Sequence, residues 1–394
     1  MKITDAKTFV VANPPPSRGG SYWVFVKLTT DNGISGVGEL YGAPFHPQAL
    51  EAMIADVCER HVFGSDPFAT ERLYRIVYSR NYTQRPDASL VAVLSAVETA
   101  CWDIVGKALE QPVCRLLGGP VRERLRSYSY LYPEDGDTGC VYTDSDLAAE
   151  RATAYVKHGF TAVKFDPIDT YSAFDPRQLS LAELSRAETI VRKMREAVGD
   201  SCDLLIGTHG QMTPAAALRL ARRLEPYDPL WLEEPVPPEN PTAMAKVAQA
   251  TRIPIATGER LCTKQEFARL LEAGGAAILQ PALGRMGGIG EMKKVAALAE
   301  TYYTQLAPHC YCGPIEAAAN IHLAAAIPNF LILESIHTFG GFHADILSVP
   351  LQWEDGYVTV PTAPGLGVEL NESVANAHPY NDDALHLTPC NTPD

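Results

Sequence analysis

PLWLEEP, residues 229–235, is a short apolar run that ends on a carboxylate, and IPIATGER, residues 253–260, repeats the pattern. The two acids, Glu233 and Glu259, lie 26 residues apart, about the length of one strand and one helix. Parallel barrel strands present their carboxyl ends at one rim, where such barrels carry out chemistry. Two converging carboxylates repel one another unless a cation joins them, and oxygen ligands suit Mg²⁺. The pattern therefore predicts a metal site at a barrel rim.

The same rhythm continues through residues 126–351. Strand-like runs alternate with amphipathic helices, and from Gly207 onward the predicted strand ends are separated by 26, 26, 23, 27 and 25 residues. Repeated strand–helix units of this regularity predict an α/β fold, a (β/α) barrel of the TIM type. The longer step before Gly207 indicates an inserted loop over the rim at 167–181. The predicted strand ends are Tyr132, Lys164, Gly207, Glu233, Glu259, Ala282, His309 and Glu334.

Residues 1–125 lack this rhythm. Two strand-like runs, at 22–30 and 35–40, flank the hairpin turn Asp31-Asn32-Gly33, and helical patterns follow at 46–63, 67–79 and 88–109. An antiparallel sheet followed by helices predicts an N-terminal α+β capping domain, with the tail at 352–394 returning to it. Two loops, at 13–20 and 41–46, are open to two interpretations: a lid over the barrel mouth, or ordinary surface connections.

Composition limits the partners. The chain has 394 residues, of which 46% are hydrophobic and 20% charged, as in a folded soluble protein. A net charge of −14 argues against nucleic acid or an anionic membrane as a partner. No stretch approaches the roughly 20 apolar residues of a membrane span, and no apolar signal core begins the sequence. We therefore expect a cytoplasmic protein that acts on a small molecule, with its nine cysteines reduced.

Polar side chains at the predicted strand ends should converge. Lys164 ends an apolar strand, where burial and a nearby metal would lower its pKa towards the range useful for a base. His309 lies on the opposite side of the predicted barrel. The two side chains would then face a substrate from both sides, as an acid–base pair. The other candidates at the rim are Asp166, His209, Glu233, Glu259 and Glu334.

Several motifs resemble those of the enolase superfamily, in its mandelate racemase and muconate lactonizing enzyme branch. The likeness extends over nearly the whole chain and is strongest to sugar-acid dehydratases of the galactonate dehydratase type. The motifs of the superfamily lie at 95–104, 116–119, 233–235, 258–260, 287–288 and 307–309. Those of the galactonate dehydratase type lie at 208–210 and 308–310.

The resemblance implies a reaction and a set of roles. A bound Mg²⁺ holds the substrate carboxylate and stabilises the enediolate that forms when the neighbouring proton is removed. Glu233 and Glu259 match two metal ligands, and Lys164 matches a catalytic lysine. His209 matches a histidine that acts as an acid, and His309 matches the histidine of the seventh strand. Glu334 matches an acid of the eighth strand that helps to hold the substrate. Related proteins are homo-oligomers, commonly dimers or octamers.

Three positions depart from the pattern of the superfamily. Gly207 stands where an Asp should bind the metal, and the replacement ligand is open between His209, Asp166 and water. Asp166 itself replaces the second lysine of the family. Ala282 stands where an Asp usually orients His309, which favours His309 as acid and Lys164 as proton acceptor.

Alternative functions remain open on these residues. The first interpretation is a sugar-acid dehydratase. The second is a cycloisomerase that acts on an anhydro-sugar acid or a sugar lactone, which the departures at Ala282 and Asp166 would suit. The third is a catalytically impaired protein that binds a sugar acid and regulates another process.

Overall fold

The structure is a computed structural model that describes residues 1–42, 45–79, 82, 84–134, 136–137, 139–168, 171–172 and 174–383. The loop predicted at 41–46 and the insertion predicted at 167–181 are therefore described in part. Residues 384–394, at the end of the predicted tail, lie outside the described residues.

A three-stranded antiparallel sheet opens the chain. Its strands are β1 (Ile3–Ala12), β2 (Tyr22–Thr30) and β3 (Ser35–Leu40), in the order β1-β2-β3. The strands β2 and β3 coincide with the predicted runs. The sequence pattern did not indicate β1, because its first half is polar and largely exposed and therefore shows no clear alternation.

In the described part of the first domain, four α-helices follow this sheet: α1 (Pro47–Val57), α2 (Thr70–Tyr78), α3 (Ala88–Ala108) and α4 (Val113–Leu116). A π-helical turn over Cys58–Val62 extends α1. The side chain of Asp87 begins α3 by accepting hydrogen bonds from two backbone amides of its first turn. Among the described residues, α3 alone is long and apolar enough to cross a membrane, but 78% of its apolar window is buried inside the structure. It is the central core helix of the first domain.

The described part of the chain contributes eight parallel strands to the barrel. Consecutive strands pair from the first to the seventh, the eighth pairs with the first, and the contact between the seventh and eighth is an isolated bridge from Leu306 to Phe330. The predicted barrel with its capping domain is thereby confirmed. The strands are β4 (Arg124–Tyr130), β5 (Ala162–Phe165), β6 (Asp203–Gly207), β7 (Trp231–Glu233), β8 (Ile255–Thr257), β9 (Ile278–Leu279), β10 (Gln305–Leu306) and β11 (Leu333–Ser335).

Helices cover the outside of the barrel. They are α5 (Ser145–Lys157), α6 (Leu181–Val198), α7 (Pro214–Leu224), α8 (Pro241–Ala248), α9 (Lys264–Glu272), α10 (Ile289–Glu300) and α11 (Pro314–Ala326). The short helix α12 (Phe342–Asp345) instead packs against the first domain, where Phe342 stacks on Trp23. After them, the hairpin of β12 (Trp353–Glu354) and β13 (Tyr357–Thr359) pairs antiparallel with β4. The chain continues through α13 (Glu372–Ala377) and then bridges from Pro379 to Val11 of β1.

Two buried acids of the first domain cap helices of the barrel. Glu98 of α3 accepts hydrogen bonds of 2.8 and 2.9 Å from amides in the first turn of α10. Glu39 of β3 accepts bonds of 2.5 and 2.9 Å from amides at the start of α11. The N-caps of these helices are Gly288 and Gly313, where a Cβ would approach the facing glutamate to 2.1 and 2.6 Å. The first amides of a helix have no hydrogen-bond partner inside the helix, and these carboxyl oxygens supply one, so the contacts hold the two domains together.

Candidate active site

The eight predicted strand ends all lie at the carboxyl rim of the barrel. Gly207 and Glu233 are the last residues of β6 and β7. Lys164 and Glu334 lie one residue before the ends of β5 and β11. The other four follow their strands by two or three residues: Tyr132, Glu259, Ala282 and His309. The loops of the rim, rather than the strands, therefore position Glu259 and His309.

A buried lysine and two buried acids form the centre of the rim. Lys164, Glu233 and Glu334 are each at most 2% exposed. The ammonium of Lys164 donates a hydrogen bond to the Glu233 carboxylate and lies 3.9 Å from Oε1 of Glu334. Oε2 of Glu334 accepts a hydrogen bond of 2.7 Å from the backbone amide of Cys310. Burial raises the pKa of Glu334 to about 7, although Lys164 acts in the opposite direction.

Lys164 is a cation in this setting. Burial by itself lowers its pKa, but the negative charge of Glu233, followed by smaller contributions that include Glu334, outweighs burial and raises the pKa well above 10.5. The lowering expected from burial is thus outweighed in the protein by itself, because the fold places carboxylates around the ammonium, and the lowering expected from a nearby metal stays a prediction.

Two hydrogen-bond donors that the sequence analysis missed fix Glu233. The indole of Trp231 donates a bond of 3.0 Å to Oε2, and the side-chain amide of Gln280 donates one of 2.7 Å to the same atom. Trp231 precedes Glu233 by two residues on β7, so the two side chains lie on one face of the strand. That spacing is a signal the sequence contains. Gln280 follows β9 without a comparable signal.

Asp166 and His209 form an ion pair beside this centre. Oδ2 of Asp166 lies 2.8 Å from Nδ1 of His209, and the hydroxyl of Tyr130 donates a bond of 2.7 Å to Oδ1. His209 has a left-handed backbone, with φ of 46°, two residues after the end of β6. The hydroxyl of Thr208 stabilises that turn, since its single proton lies between the carbonyl oxygens of Glu233 and Glu234, at 2.7 and 2.9 Å from the hydroxyl oxygen. Non-glycine residues in this conformation are strained and are concentrated at functional sites.

The ion pair keeps His209 protonated. Burial lowers the pKa of His209, but the Asp166 carboxylate outweighs burial and raises the pKa to about 9. Burial likewise opposes ionisation of Asp166, whose pKa is nevertheless lowered by His209 and by hydrogen bonds. At neutral pH the pair consists of an imidazolium and a carboxylate, so His209 has a proton to donate.

His309 is neutral beside Glu259. Its Nε2 lies 3.7 Å from Oε2 of Glu259, and its Nδ1 has no hydrogen-bond partner in the described part of the chain. The backbone of Ala282 forms a bridge with His309, but its methyl group cannot orient an imidazole. Burial, followed by the positive charge of Arg285, lowers the pKa of His309 to about 3, although Glu259 opposes this. His309 is therefore uncharged at neutral pH, the form in which one of its ring nitrogens can accept a proton.

The first domain reaches this side of the rim. The ring of Tyr41, just after β3, meets the His309 ring edge-on with centroids 5.1 Å apart, and the guanidinium of Arg285 lies 4.2 Å from the Tyr41 ring. The loop at 13–20 reaches the rim two strands further round, after β4, where Arg18 lies 4.7 Å from the ring of Tyr132. Both loops of the first domain thus contact the rim.

A second acidic group lies between the domains. Ligand atoms of Glu39, Cys312 and Glu316 lie within 4.8 Å of one another. Three of the four oxygens of the two glutamates accept hydrogen bonds from backbone amides, one of them, at 2.7 Å, from the amide of Gly284. Burial raises the pKa of Glu39 to about 8 and that of Glu316 to about 7, and repulsion between the carboxyls adds to it for Glu39. The group therefore holds protons at neutral pH, and we assign it to packing between the domains.

Glu233 and Glu259 fit the chemistry of a divalent cation. Glu233 ends β7 and Glu259 follows the adjacent strand β8, and both offer the carboxylate oxygens that Mg²⁺ prefers. Burial opposes ionisation of Glu259, but its basic neighbours, His309 first and then His209 and Lys164, outweigh burial and lower its pKa. A charged carboxylate is the form that binds a cation.

Comparisons with known proteins agree with this geometry. Residues 7–118 match the model of the mandelate racemase / muconate lactonizing enzyme N-terminal domain, and residues 146–374 match that of the enolase C-terminal domain-like family. The chain is 34% identical over 391 residues to a D-xylonate dehydratase of Haloferax volcanii, with 98% of this chain and 90% of that protein covered. It is 35% identical over 384 residues to a D-galactonate dehydratase of Ralstonia nicotianae, with 95% and 93% covered.

A solved structure shows the same architecture. It is a mandelate racemase/muconate lactonizing enzyme-like protein from Roseovarius sp. TM1035, with a TM-score of 0.97 and 51% identity, and with 100% of this chain and 99% of that chain covered.

Proposed function

Since the chain belongs to the mandelate racemase and muconate lactonizing enzyme family and is a dehydratase-type enzyme of the enolase superfamily, we propose that it removes water from a sugar acid through an enediolate. One observation carries the proposal. His209 lies 2.8 Å from Asp166, which keeps it protonated, and the neutral His309 lies 3.7 Å from Glu259, so the rim holds one proton donor and one proton acceptor. A dehydration that removes one proton and delivers another needs such a pair.

The carboxylates of Glu233 and Glu259 would hold a Mg²⁺, which when bound supplies the positive charge that fixes a substrate carboxylate and stabilises an enediolate. The indole of Trp231 and the amide of Gln280 keep the Glu233 carboxylate in place for that role. Hydrogen bonds to a metal-binding side chain, rather than to the metal itself, orient that side chain and tune the affinity of the site. The ammonium of Lys164 adds positive charge near the same carboxylate.

His309 is the proposed proton acceptor. It takes the proton bonded to the carbon next to the substrate carboxylate, and the electron pair of that C–H bond moves into the enediolate. The neutral state of His309 suits this step, whereas Lys164 would first have to lose its own proton. The assignment thus differs from the sequence-based expectation, which favoured Lys164 as acceptor and His309 as acid.

His209 is the proposed proton donor. As the enediolate collapses, the bond between the β-carbon and its hydroxyl breaks, and His209 protonates the leaving oxygen to form water. Nδ1 is in contact with Asp166, which leaves Nε2 to donate. The enol that remains becomes a 2-keto-3-deoxy acid. Until this proton transfer, the Asp166 carboxylate stabilises the positive charge of the His209 imidazolium.

The test is turnover of a panel of pentonates, hexonates, aldarates and anhydro-sugar acids with Mg²⁺. We expect a 2-keto acid from a hydroxy acid, detected as its semicarbazone. A product of unchanged mass from an anhydro acid would indicate the cycloisomerase instead. No turnover, together with no effect of Mg²⁺ on the melting temperature, would indicate a binding protein.

Hydrogen exchange separates the two candidate acceptors. In D₂O, His309→Asn should slow exchange of the substrate α-hydrogen by about 10²- to 10⁴-fold, the usual contribution of general acid–base catalysis. Lys164→Arg retains the positive charge and serves as the matched control, with a smaller loss. The reverse ranking would reject His309 as acceptor and leave the dehydration itself intact.

A further inference from the structure

The end of β6 has no side chain, and the carboxylate of Asp166 fills the space. A Cβ built on Gly207 would lie 2.0 Å from Oδ1 of Asp166 and 2.9 Å from the hydroxyl of Tyr130. Gly207 lies in a regular strand and does not have a positive φ. The close approach of Asp166, and not the backbone conformation, therefore requires glycine at this position.

The filled space is next to Glu233. Gly207 and Glu233 are register partners in the parallel pairing of β6 and β7. Side chains at paired positions of neighbouring strands project from the same face of the sheet. Oδ1 of Asp166 thus reaches, from the end of β5, the position beside Glu233 that a side chain on β6 would take.

A buried amide oxygen nearby also lacks a hydrogen-bond donor in the described structure. Gln280 is 1% exposed and donates to Glu233 through Nε2, while its Oε1 has no hydrogen-bond partner in the described structure. Buried amide oxygens are nearly always satisfied by a donor or an ordered ligand. A hydrated cation would supply that counterpart through one of its waters.

We infer that Asp166 is the third carboxylate of the divalent-cation site, together with Glu233 and Glu259, and takes the place of the acid that β6 lacks. This inference rests on the proposed function. Mg²⁺ gives up its water reluctantly, so a third negative ligand adds to its binding. Oδ1 of Asp166 accepts one hydrogen bond, from Tyr130, and a carboxylate oxygen can bind a second partner. The same side chain would then join the cation to the proton donor His209, which lies at Oδ2.

Calorimetric titration with Mg²⁺ alone tests the inference without any substrate. Asp166→Asn preserves shape and removes the charge, and it should weaken Mg²⁺ by more than the roughly 10- to 100-fold that the loss of an outer contact costs. Tyr130→Phe is the matched control, because it removes only the outer contact of Asp166 and should stay within that range. Circular dichroism and melting in EDTA show whether each variant is folded.

Exchanging the two positions gives a second, independent test. Asp166→Gly opens the space beside Gly207, and combining it with Gly207→Asp returns a carboxylate to β6. The double variant should recover most of the Mg²⁺ affinity that Asp166→Gly loses. Gly207→Asp alone should not improve binding, because its Cβ would collide with Asp166.

The outcomes separate this inference from the proposed function. Wild-type affinity in Asp166→Asn, or no recovery in the double variant, would overturn the role of Asp166 even if the enzyme dehydrates a sugar acid. A wild-type protein that neither binds Mg²⁺ nor turns over any sugar acid would overturn both. Weak binding by Asp166→Asn with recovery in the double variant would establish the inference whichever acid proves to be the substrate.

Discussion

Lys164 is 1% exposed, and its replacement by methionine removes the positive charge while a side chain of similar volume fills the same space. Breaking a buried ion pair by deleting one partner costs about 3–5 kcal/mol. Glu233 would keep its hydrogen bonds to Trp231 and Gln280, which limits the penalty. We therefore expect the free energy of unfolding to fall by about 3 kcal/mol at pH 8, near the lower end of that range.

The loss should depend on pH in one direction. Without the lysine, Glu233 and Glu334 face each other, and the pKa of Glu334, already about 7, should rise further. A raised carboxyl pKa gives stability that is present at low pH and is lost as the pH rises through the folded-state pKa. At pH 6 Glu334 is protonated and the repulsion disappears, so the loss should shrink by about 1.4 kcal/mol for each unit by which the pKa of Glu334 in the variant exceeds that in the wild type.

Urea unfolding in EDTA at pH 6 and pH 8, followed by circular dichroism, measures both effects. Lys157→Met is the matched control, since Lys157 is exposed at the end of α5 and its replacement should change the free energy of unfolding by at most about 0.5 kcal/mol. A loss below about 1 kcal/mol at pH 8, well under the cost of breaking a buried pair, would refute the reasoning. A loss that grows as the pH falls would also refute it.

Three further predictions concern His209, Glu233 and Glu98. In an NMR titration His209 should lose its proton near pH 9, because the charge of Asp166 outweighs burial. The stability that this ion pair gives is complete below pH 6.5 and is lost as the pH rises through 9. A titration midpoint at or below pH 6.5 would contradict the ion pair. Trp231→Phe removes a donor to Glu233 and should lower the free energy of unfolding in urea by about 1.5–3 kcal/mol, whereas an unchanged value would show that the indole is dispensable. Glu98→Ala leaves two amides of α10 without acceptors and should cost about 2–3 kcal/mol, more than Glu98→Gln; equal melting temperatures for the two variants would argue against the cap.

The sequence was sufficient to predict which strands carry the residues of the site and that these residues lie at one rim of the barrel. Apolar runs that end on polar residues at regular intervals determine which strands neighbour one another, and so Lys164, Glu233 and Glu334 could be expected together. The positions of Glu259 and His309 were less certain, because β8 and β10 have only three and two residues and the loops after them determine the side-chain directions.

The charges of the site depended on contacts that no spacing reveals. The pairing of Asp166 with His209 requires both the left-handed turn at His209 and the missing side chain at Gly207, and neither follows from apolar periodicity. The charge of Lys164 depends on how close the carboxylates approach it. Gln280 resembles any other polar residue after a strand, so its bond to Glu233 becomes visible only in three dimensions.

The caps that Glu98 and Glu39 provide limit how this protein can be recombined with its relatives. A chimera that joins this barrel to a foreign first domain places glycine N-caps, Gly288 and Gly313, opposite whatever side chains the donor supplies. Unless the donor carries acids at both matching points, two helices begin with unsatisfied amides in a dry interface. Crossover points for gene shuffling should therefore keep α3 and β3 in the same parental fragment as α10 and α11, although the border between the domains would look like the natural place to cut.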